Sequence, residues 1–404
     1  MQTSTEAPKN RPVIGKRGPA WLAAVLAIFA MLAASCSSSG SSGKTDTAGG
    51  GSTTTAAAGS SSADSSSGGG AVAKTPDALL KKATASLNGG GSSFQDTFEQ
   101  AAIKSFGDAS KKAGGTGSIL YTKSGSSDGK KQLAAKTLDF AGTDSLLKPE
   151  EKATYGAREI LYFPLVSSPI TLSYKLSGVT DLKLSPDTIA KIVMGQIKTW
   201  DDPVIKADNP SAKLAPTAIT WVHRSDGSGT TSNFSKYLKA AAPSIFTLDS
   251  GDTVQWPVGQ GAQNNTGVAT VITQTDGAIG YVDLPDAAKA NLDVAQIKNA
   301  AGKFTKPTPA GAGEAVASAD VAPDLTYNPL NAKGATAYPI TSPTWILVDA
   351  KQSDQAKADT VKAYLTYIFN EGQADESTTS LFYAKLPDAL RKKALAQVDK
   401  ITVG

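Results

Sequence analysis

One cysteine and one histidine are all that 404 residues supply. A lone cysteine, Cys36, excludes an internal disulfide, so packing and hydrogen bonds must hold the fold. A lone histidine, His223, leaves no cluster with metal-ligand spacing and no cysteine–histidine nucleophile pair. A charge excess is missing too: Lys and Arg number 40 against 36 Asp and Glu. Four of those cations, Lys9, Arg11, Lys16 and Arg17, precede the first apolar run with one anion, Glu6, and the remainder carries 36 against 35. No basic surface emerges from that balance, and no nucleic-acid partner is expected. After the first apolar run no stretch approaches the roughly 20 apolar residues of a spanning helix. No cofactor is implied either.

The run AWLAAVLAIFAMLAA follows the four cations and meets small residues at Cys36. Residues 1–35 therefore have the layout of a secretory signal. The run is short for a spanning helix, so cleavage is expected. The stretch LAASC resembles a bacterial lipobox, with Ala33 where leucine is usual, and that resemblance implies lipidation of Cys36. A diacylglyceryl group supplies the two chains that firm anchoring needs. This places the protein outside the cytoplasm, tethered to the outer face of a bacterial cell membrane. Residues 36–78 follow as a linker, almost all Ser, Gly, Thr and Ala to about Lys74. Such a segment buries too little apolar surface to order itself, and about 36 residues of coil reach roughly 30 to 35 Å.

From Thr75 onward helical and strand patterns alternate, the signature of an α/β fold. SPDTIAKIVMG reads as a helix with Ser185 as its cap, Pro186 at its first position and Gly195 as its stop. SDQAKADTVKAYLTYIFNEG repeats the logic, with Ser353 as cap and Gly372 as terminator. REILYFPLV, PITLSYKL, AITWVH and TWILVD read as four strands. Trp200, Trp256 and Trp345 read as packing residues, and KPEEK and LRKKAL as solvated faces.

The chemistry concentrates in HRSDGSGT, residues 223–230. A strand, a glycine-rich loop and a helix follow one another there, which aims free N–H groups and the positive end of a helix dipole at one point. Ser228 and Thr230 add hydroxyls, and Arg224 adds a planar fork suited to an oxyanion. Asp226, two residues from Arg224 on extended backbone, shares its face and can brace the guanidinium. The same eight residues also fit a plain turn with a surface ion pair. The pattern recurs, however. NGGGSSFQDTFEQ and TKSGSSDGKK each place glycines and serines before a helix, at Gly90 to Ser93 and at Gly125 to Ser127. Several such helix starts suit donors converging on a tetrahedral oxyanion. Asp144 closes the stretch DFAGTD. In the same pocket it accepts a hydrogen bond that phosphate, keeping a proton, can give and sulfate cannot. As a loop residue capping SLLKPEEK it would do nothing of the kind.

GSS at 125–127, DFAGTD at 139–144, MGQIKTWDDP at 194–203, RSDGSGT at 224–230, VQWPVG at 254–259, GAIGYVD at 277–283, YPITSPTWIL at 338–347 and YAKLPDAL at 383–390 together closely resemble the phosphate-binding lipoprotein of the phosphate-specific ABC transporter. The likeness runs in one order from about Leu87 to the C-terminus. It implies a type II periplasmic binding-protein fold, two hinged lobes with the ligand between them. Residues 79–165 and 339–404 would form one lobe and 166–338 the other, with crossings near Val166 and Tyr338. It also implies the phosphate ligands: Ser93, Phe94, Ser126, Asp144, Arg224, Ser228, Gly229 and Thr230, with Asp226 paired to Arg224. Implied partners are inorganic phosphate and permease subunits served by a cytoplasmic ATPase, with the chain acting as a monomer. Departures from the family are Ser93 for threonine, Gln95 and Asp96 in a stretch that carries prolines, and Asp128 for a glycine beside a binding serine.

Three other functions remain compatible with these loops. A phosphatase or phosphoryl transferase would need a nucleophile with a base or a metal, and His223 reads as a strand residue. A binder of sulfate or molybdate would lack the use for Asp144. A phosphate sensor or surface protein would share the cleft and differ only in its partners.

Overall fold

The computed structural model describes residues 73–404. The expected signal, Cys36 and the linker through residue 72 lie outside the described residues. The linker expectation runs to residue 78, yet Thr75 is buried. Its N–H and hydroxyl donate to the Glu371 carboxylate at 2.8 and 2.6 Å. Nothing in local composition signals a partner 296 positions away.

Strands β1 (Ser86–Gly91), β2 (Ser118–Lys123), β3 (Phe140–Thr143), β4 (Ile160–Tyr174), β5 (Thr220–Arg224), β6 (Gln260–Ala262), β7 (Ala278–Asp283) and β8 (Thr341–Asp349) are the main strands. They lie in the order β2-β1-β3-β8-β4-β7-β5-β6. β1 is parallel to β2 and β3, and β5 is parallel to β6 and β7. Between these two parallel halves stand β8 and β4, antiparallel to each other and to their outer neighbours.

β4 is the strand that both halves share. It pairs with β8 from Ile160 to Pro169 and with β7 from Ile170 to Tyr174. The two strands expected from REILYFPLV and PITLSYKL are therefore one strand of 15 residues. The serines between them do not break it, because Ser167 and Ser168 stay in register with Pro343 and Ser342 of β8 and the C-terminal segment adds bonds on the other side. Ser167 and Ala384 exchange both N–H···O bonds, at 3.3 and 2.7 Å. The Ser168 hydroxyl donates to the Phe382 carbonyl at 2.8 Å. Val166 lies inside this strand. Tyr338 stands just before β8, buried, with its hydroxyl donating to the Ile170 carbonyl at 3.0 Å.

The helices that position the site are α1 (Asp96–Ala113), α2 (Ser126–Ala134), α3 (Pro186–Val193), α4 (Gly229–Ala241), α5 (Asn264–Gln274) and α6 (Gln355–Phe369). α3 starts and stops where its sequence says. Ser185 Oγ accepts the Thr188 N–H, and Gly195 takes the left-handed φ of 70°. α6 departs at both ends. Its cap is Asp354, whose carboxylate accepts the Lys357 N–H at 2.8 Å, while Ser353 donates to that same carboxylate. A carboxylate is the stronger acceptor at a helix N-terminus. At the other end the helix stops at Phe369, whose carbonyl accepts from Arg391, and Gly372 falls in a separate 3-10 turn.

Each half has its own aromatic core. Phe98 and Phe106 of α1 meet Tyr383 and Tyr364 edge to face at 6.0 and 5.2 Å. In the other half Phe234 of α4 stacks on Tyr281 at 4.7 Å, with Trp221 5.7 Å from each. Trp200 and Trp345 are buried, and Trp256 packs half-buried over Trp221 and Phe246. His223 is half-buried in β5, its ring 5.9 Å from that of Trp256. The KPEEK segment is not wholly solvated, since Glu151 pairs with the buried Lys130 at 2.8 Å.

Candidate functional site

Four of the parallel strands run through short loops into helices, three of the loops bearing glycine or serine and the fourth consisting of Gln263. β1 leads into α1, β2 into α2, β5 into α4 and β6 into α5. A parallel strand followed by a helix puts the helix N-terminus at the strand's C-terminal edge, so four positive helix ends gather where the two halves meet.

Gly125 caps α2 with a φ of 97°, which favours glycine. A Cβ there would lie 2.7 Å from an Asp226 carboxylate oxygen and 2.9 Å from the Gly227 carbonyl, so the two halves touch at this point. Ser127 N–H donates to that carbonyl at 3.1 Å. Gly229, first residue of α4, is pressed equally hard: a Cβ would meet Asp144 Cβ and Ser126 Oγ, both at 2.7 Å.

Asp144 is buried at the centre of this contact. Ser92 Oγ donates to its Oδ1 at 2.6 Å, and its own N–H donates to Ser126 Oγ at 3.4 Å. Burial pushes its carboxyl up to about 6, against the hydroxyls of Ser92 and Thr344 and the Arg224 charge, which favour ionisation.

Arg224 ends β5 with its side chain 1% exposed. Nε donates to Asp226 Oδ1 at 2.7 Å, and Nη2 donates to Oδ2 of the same carboxylate. Burial alone would push the Asp226 carboxyl up, but the bonds and charge of Arg224 hold it below the usual range. The guanidinium is thus fixed in direction, and of its three remaining N–H groups one, on Nη1, donates to Asn265 Oδ1 at 3.1 Å.

The other expected residues surround this pair. Ser228 caps α4 by accepting the Thr231 N–H at 3.2 Å, and Thr230 and Gly229 lie in its first turn, buried. Ser93 Oγ accepts the Asn265 N–H at 3.3 Å, a contact between the two halves. Phe94 N–H donates to Ser92 Oγ at 3.0 Å, and α1 begins two residues later, at Asp96. All eight expected ligand residues are buried around one point. Asp128 points away from it: Gln132 Nε2 donates to its carboxylate at 2.5 Å on the side of α2.

A scan against family models matches residues 46–371 to the PBP superfamily domain. The phosphate-binding protein PstS of Pasteurella multocida is 34% identical over 284 residues, which cover 69% of this chain and 81% of that one. The chain belongs to the PstS family of the PBP superfamily. Another PstS relative, the phosphate-binding protein PstS 2 of Mycobacterium tuberculosis, is 32% identical over 294 residues, 70% of this chain and 79% of its own. Among solved structures, the fold matches a high affinity periplasmic phosphate-binding protein bound with phosphate, at a TM-score of 0.62 and 23% identity over 77% of this chain and 93% of that one. It also matches the phosphate-binding protein of Stenotrophomonas maltophilia, at a TM-score of 0.60 and 20% identity over 78% and 94%.

In this PstS chain several site residues escape a reading of the sequence. Asn265 donates to Thr230 Oγ1 at 3.3 Å and to Asp283 Oδ2 at 2.6 Å, while its main-chain N–H and its Oδ1 hold Ser93 and Arg224. Its signal was the fourth loop of the same kind, GQGAQNNTG, which carries amides where the others carry hydroxyls. Asn233, one turn into α4, donates to the carbonyls of Asp144 at 2.6 Å and Gly229 at 3.1 Å. Ser92 was visible only as a loop residue. Among the described residues no group of His, Cys, Asp and Glu is placed to hold a metal ion, and no helix is long and apolar enough to cross a membrane.

Proposed function

We propose that this protein captures inorganic phosphate outside the cytoplasm and delivers it to an ABC-type importer, without covalent chemistry. The observation that carries the reading is Asp144, a buried carboxylate set among helix N-termini and a braced arginine. Donors of that kind suit an oxyanion, and one acceptor among them suits an oxyanion that keeps a proton. Phosphate has that proton at neutral pH; sulfate does not.

In this reading the ligand is held by Ser93, Phe94, Ser126, Asp144, Arg224, Ser228, Gly229 and Thr230, with Asp226 bracing Arg224. Phe94 N–H exchanges its bond to Ser92 for one to the anion. Residues 79–165 with 339–404 form one lobe and 166–338 the other, and the cleft closes by a hinge motion. The closed form is what the permease and its cytoplasmic ATPase read. Cys36 carries the lipid that keeps the protein, a monomer, on the outer face of the membrane.

The test is calorimetric titration of the ligand-stripped protein with phosphate and then sulfate at neutral pH. Tight binding of one phosphate per chain and no heat from sulfate are expected. Equal binding of both anions, or turnover of a phosphomonoester by metal-free protein, overturns the reading.

A further inference from the structure

Four of the expected ligand residues carry a hydroxyl, and all four hydroxyls are engaged in the same way. Each accepts an N–H from the protein: Ser93 Oγ from the Asn265 main chain at 3.3 Å, Ser126 Oγ from Asp144 at 3.4 Å, Ser228 Oγ from Thr231 at 3.2 Å and Thr230 Oγ1 from Asn265 Nδ2 at 3.3 Å. Among the described residues none of the four has a protein acceptor for its own proton. Ser92, outside the expected set, instead gives its proton to Asp144. A hydroxyl has one proton, and an N–H placed at its lone pairs turns that proton the other way.

Two of the four are set by a single residue, Asn265. It stands second in α5 and is fully buried. Its main-chain N–H reaches Ser93 and its side-chain NH2 reaches Thr230, one hydroxyl from each half of the molecule. The preceding N–H, of Asn264, is taken by Asp226 Oδ1 at 3.1 Å. The first two donors of α5 thus serve the residues that surround the anion.

The Asn265 side chain has one orientation. The Arg224 guanidinium only donates, so the amide oxygen faces Nη1, at 3.1 Å, and the NH2 faces the other way. There it meets two acceptors, Thr230 Oγ1 and Asp283 Oδ2, the latter at 2.6 Å. The other oxygen of Asp283, itself buried, accepts the Asp286 N–H at 2.7 Å. A flipped amide would set NH2 against the guanidinium and oxygen against the carboxylate. Arg224 and Asp283 therefore lock it from its two ends.

We propose that Asn265, oriented by Arg224 and Asp283, is a positioning residue that turns the hydroxyl protons of Ser93 and Thr230 toward the anion, the first through its main chain and the second through its side chain. The inference rests on the phosphate-binding function proposed above. A freely rotating hydroxyl can present a lone pair to an anion as well as a proton, and it must be ordered when the anion arrives. A hydroxyl whose lone pair is already engaged presents its proton and loses less freedom on binding.

The experiment measures the dissociation constant for inorganic phosphate, by calorimetry at neutral pH, in the full chain with Asn265→Leu, Thr230→Val, Ser93→Ala and the two double variants that contain Asn265→Leu. Leu and Val keep the branched shapes and remove the polar atoms. Thr230→Val alone removes a hydrogen bond to a charged group and is expected to weaken binding about tenfold or more. Asn265→Leu is expected to do at least as much, since the Arg224 contact goes with it. In the Thr230→Val background the Asn265→Leu loss is expected to shrink by about threefold or more, because no hydroxyl is left to turn. In the Ser93→Ala background it is expected to keep its full size, because Ser93 is served by the main chain, which the substitution leaves in place.

A purely structural role, such as holding α5 against α4, costs the same affinity whether position 230 carries a hydroxyl or a methyl. An Asn265→Leu loss that shrinks by less than about threefold in the Thr230→Val background, or that shrinks as much in the Ser93→Ala background, overturns the inference and leaves the phosphate-binding reading intact. Asn265→Ala replaces Asn265→Leu throughout if that variant does not fold. No phosphate binding by the unaltered chain overturns both.

Discussion

Lys130 and Asp252 form a 2.9 Å ion pair with side chains only 2% and 6% exposed, and it ties α2 to the loop that follows α4. Asp252 Oδ2 also accepts from the hydroxyls of Ser127 and Ser145, at 2.9 and 3.0 Å. Burial by itself would push Asp252 up, but Lys130 and the hydroxyls hold it below the usual carboxylate range. These groups meet only where the two halves of the molecule meet. Removing one partner strands a buried charge, a loss of about 3 to 5 kcal/mol in comparable pairs. Lys130→Met is therefore expected to weaken phosphate binding by tenfold or more and to expand the ligand-free protein in small-angle scattering. An unchanged radius and dissociation constant would show that the pair is indifferent to closure.

Asp144→Asn tests selectivity. The amide keeps the shape and loses the charge, and it can donate where the carboxylate only accepts. Phosphate affinity is expected to fall and sulfate binding to appear, so the ratio of the two constants, measured by calorimetry, drops by a factor of about ten or more. A ratio that does not move removes Asp144 from the discrimination.

Gly229→Ala tests the closeness of the contact. The added methyl would lie 2.7 Å from Asp144 Cβ and Ser126 Oγ. Overpacking of this kind costs about 1 to 3 kcal/mol, which is about a fivefold to 150-fold loss in phosphate affinity if the clash is met on closing. The same cost appearing instead as a lower melting temperature, with affinity kept, would place the clash in both open and closed forms.

Glu99→Gln tests the buried acid directly. Burial raises the folded-state carboxyl to about 7 from its ordinary value of 4.5. A group raised in this way binds its proton more tightly folded than unfolded, so it costs no stability below the unfolded value and costs most above pH 7. The shift corresponds to about 3 kcal/mol. Glu99→Gln is expected to gain stability relative to the unaltered chain between pH 5 and pH 8, read as a difference in denaturant midpoints at each pH. A gain that does not grow with pH contradicts the buried charge.

How far the sequence carries can be judged residue by residue. Arg224 ends a strand and Asp226 stands two positions on, in the loop that follows, so their pairing is local, and the helix starts at Ser126 and Gly229 follow from glycine and hydroxyl chemistry. What escapes is long-range. Asn265 meets Ser93 across 172 positions and Tyr364 meets Glu99 across 265. Neither pairing leaves a local trace. The serines of β4 mislead for a related reason: Ser167 and Ser168 pair with Pro343 and Ser342 of β8, and Ser167 also with Ala384, all far along the chain. Ser353 misleads more simply, because a better acceptor stands next to it.

The sharing of β4 has a further consequence. A strand that belongs to both half-sheets cannot leave one without exposing an edge of the other, and the C-terminal residues that grip its middle tie the end of the chain to the same seam. The two halves are therefore not separable modules. They should melt in a single cooperative transition, and neither half should survive as a stable fragment when the chain is cut between them.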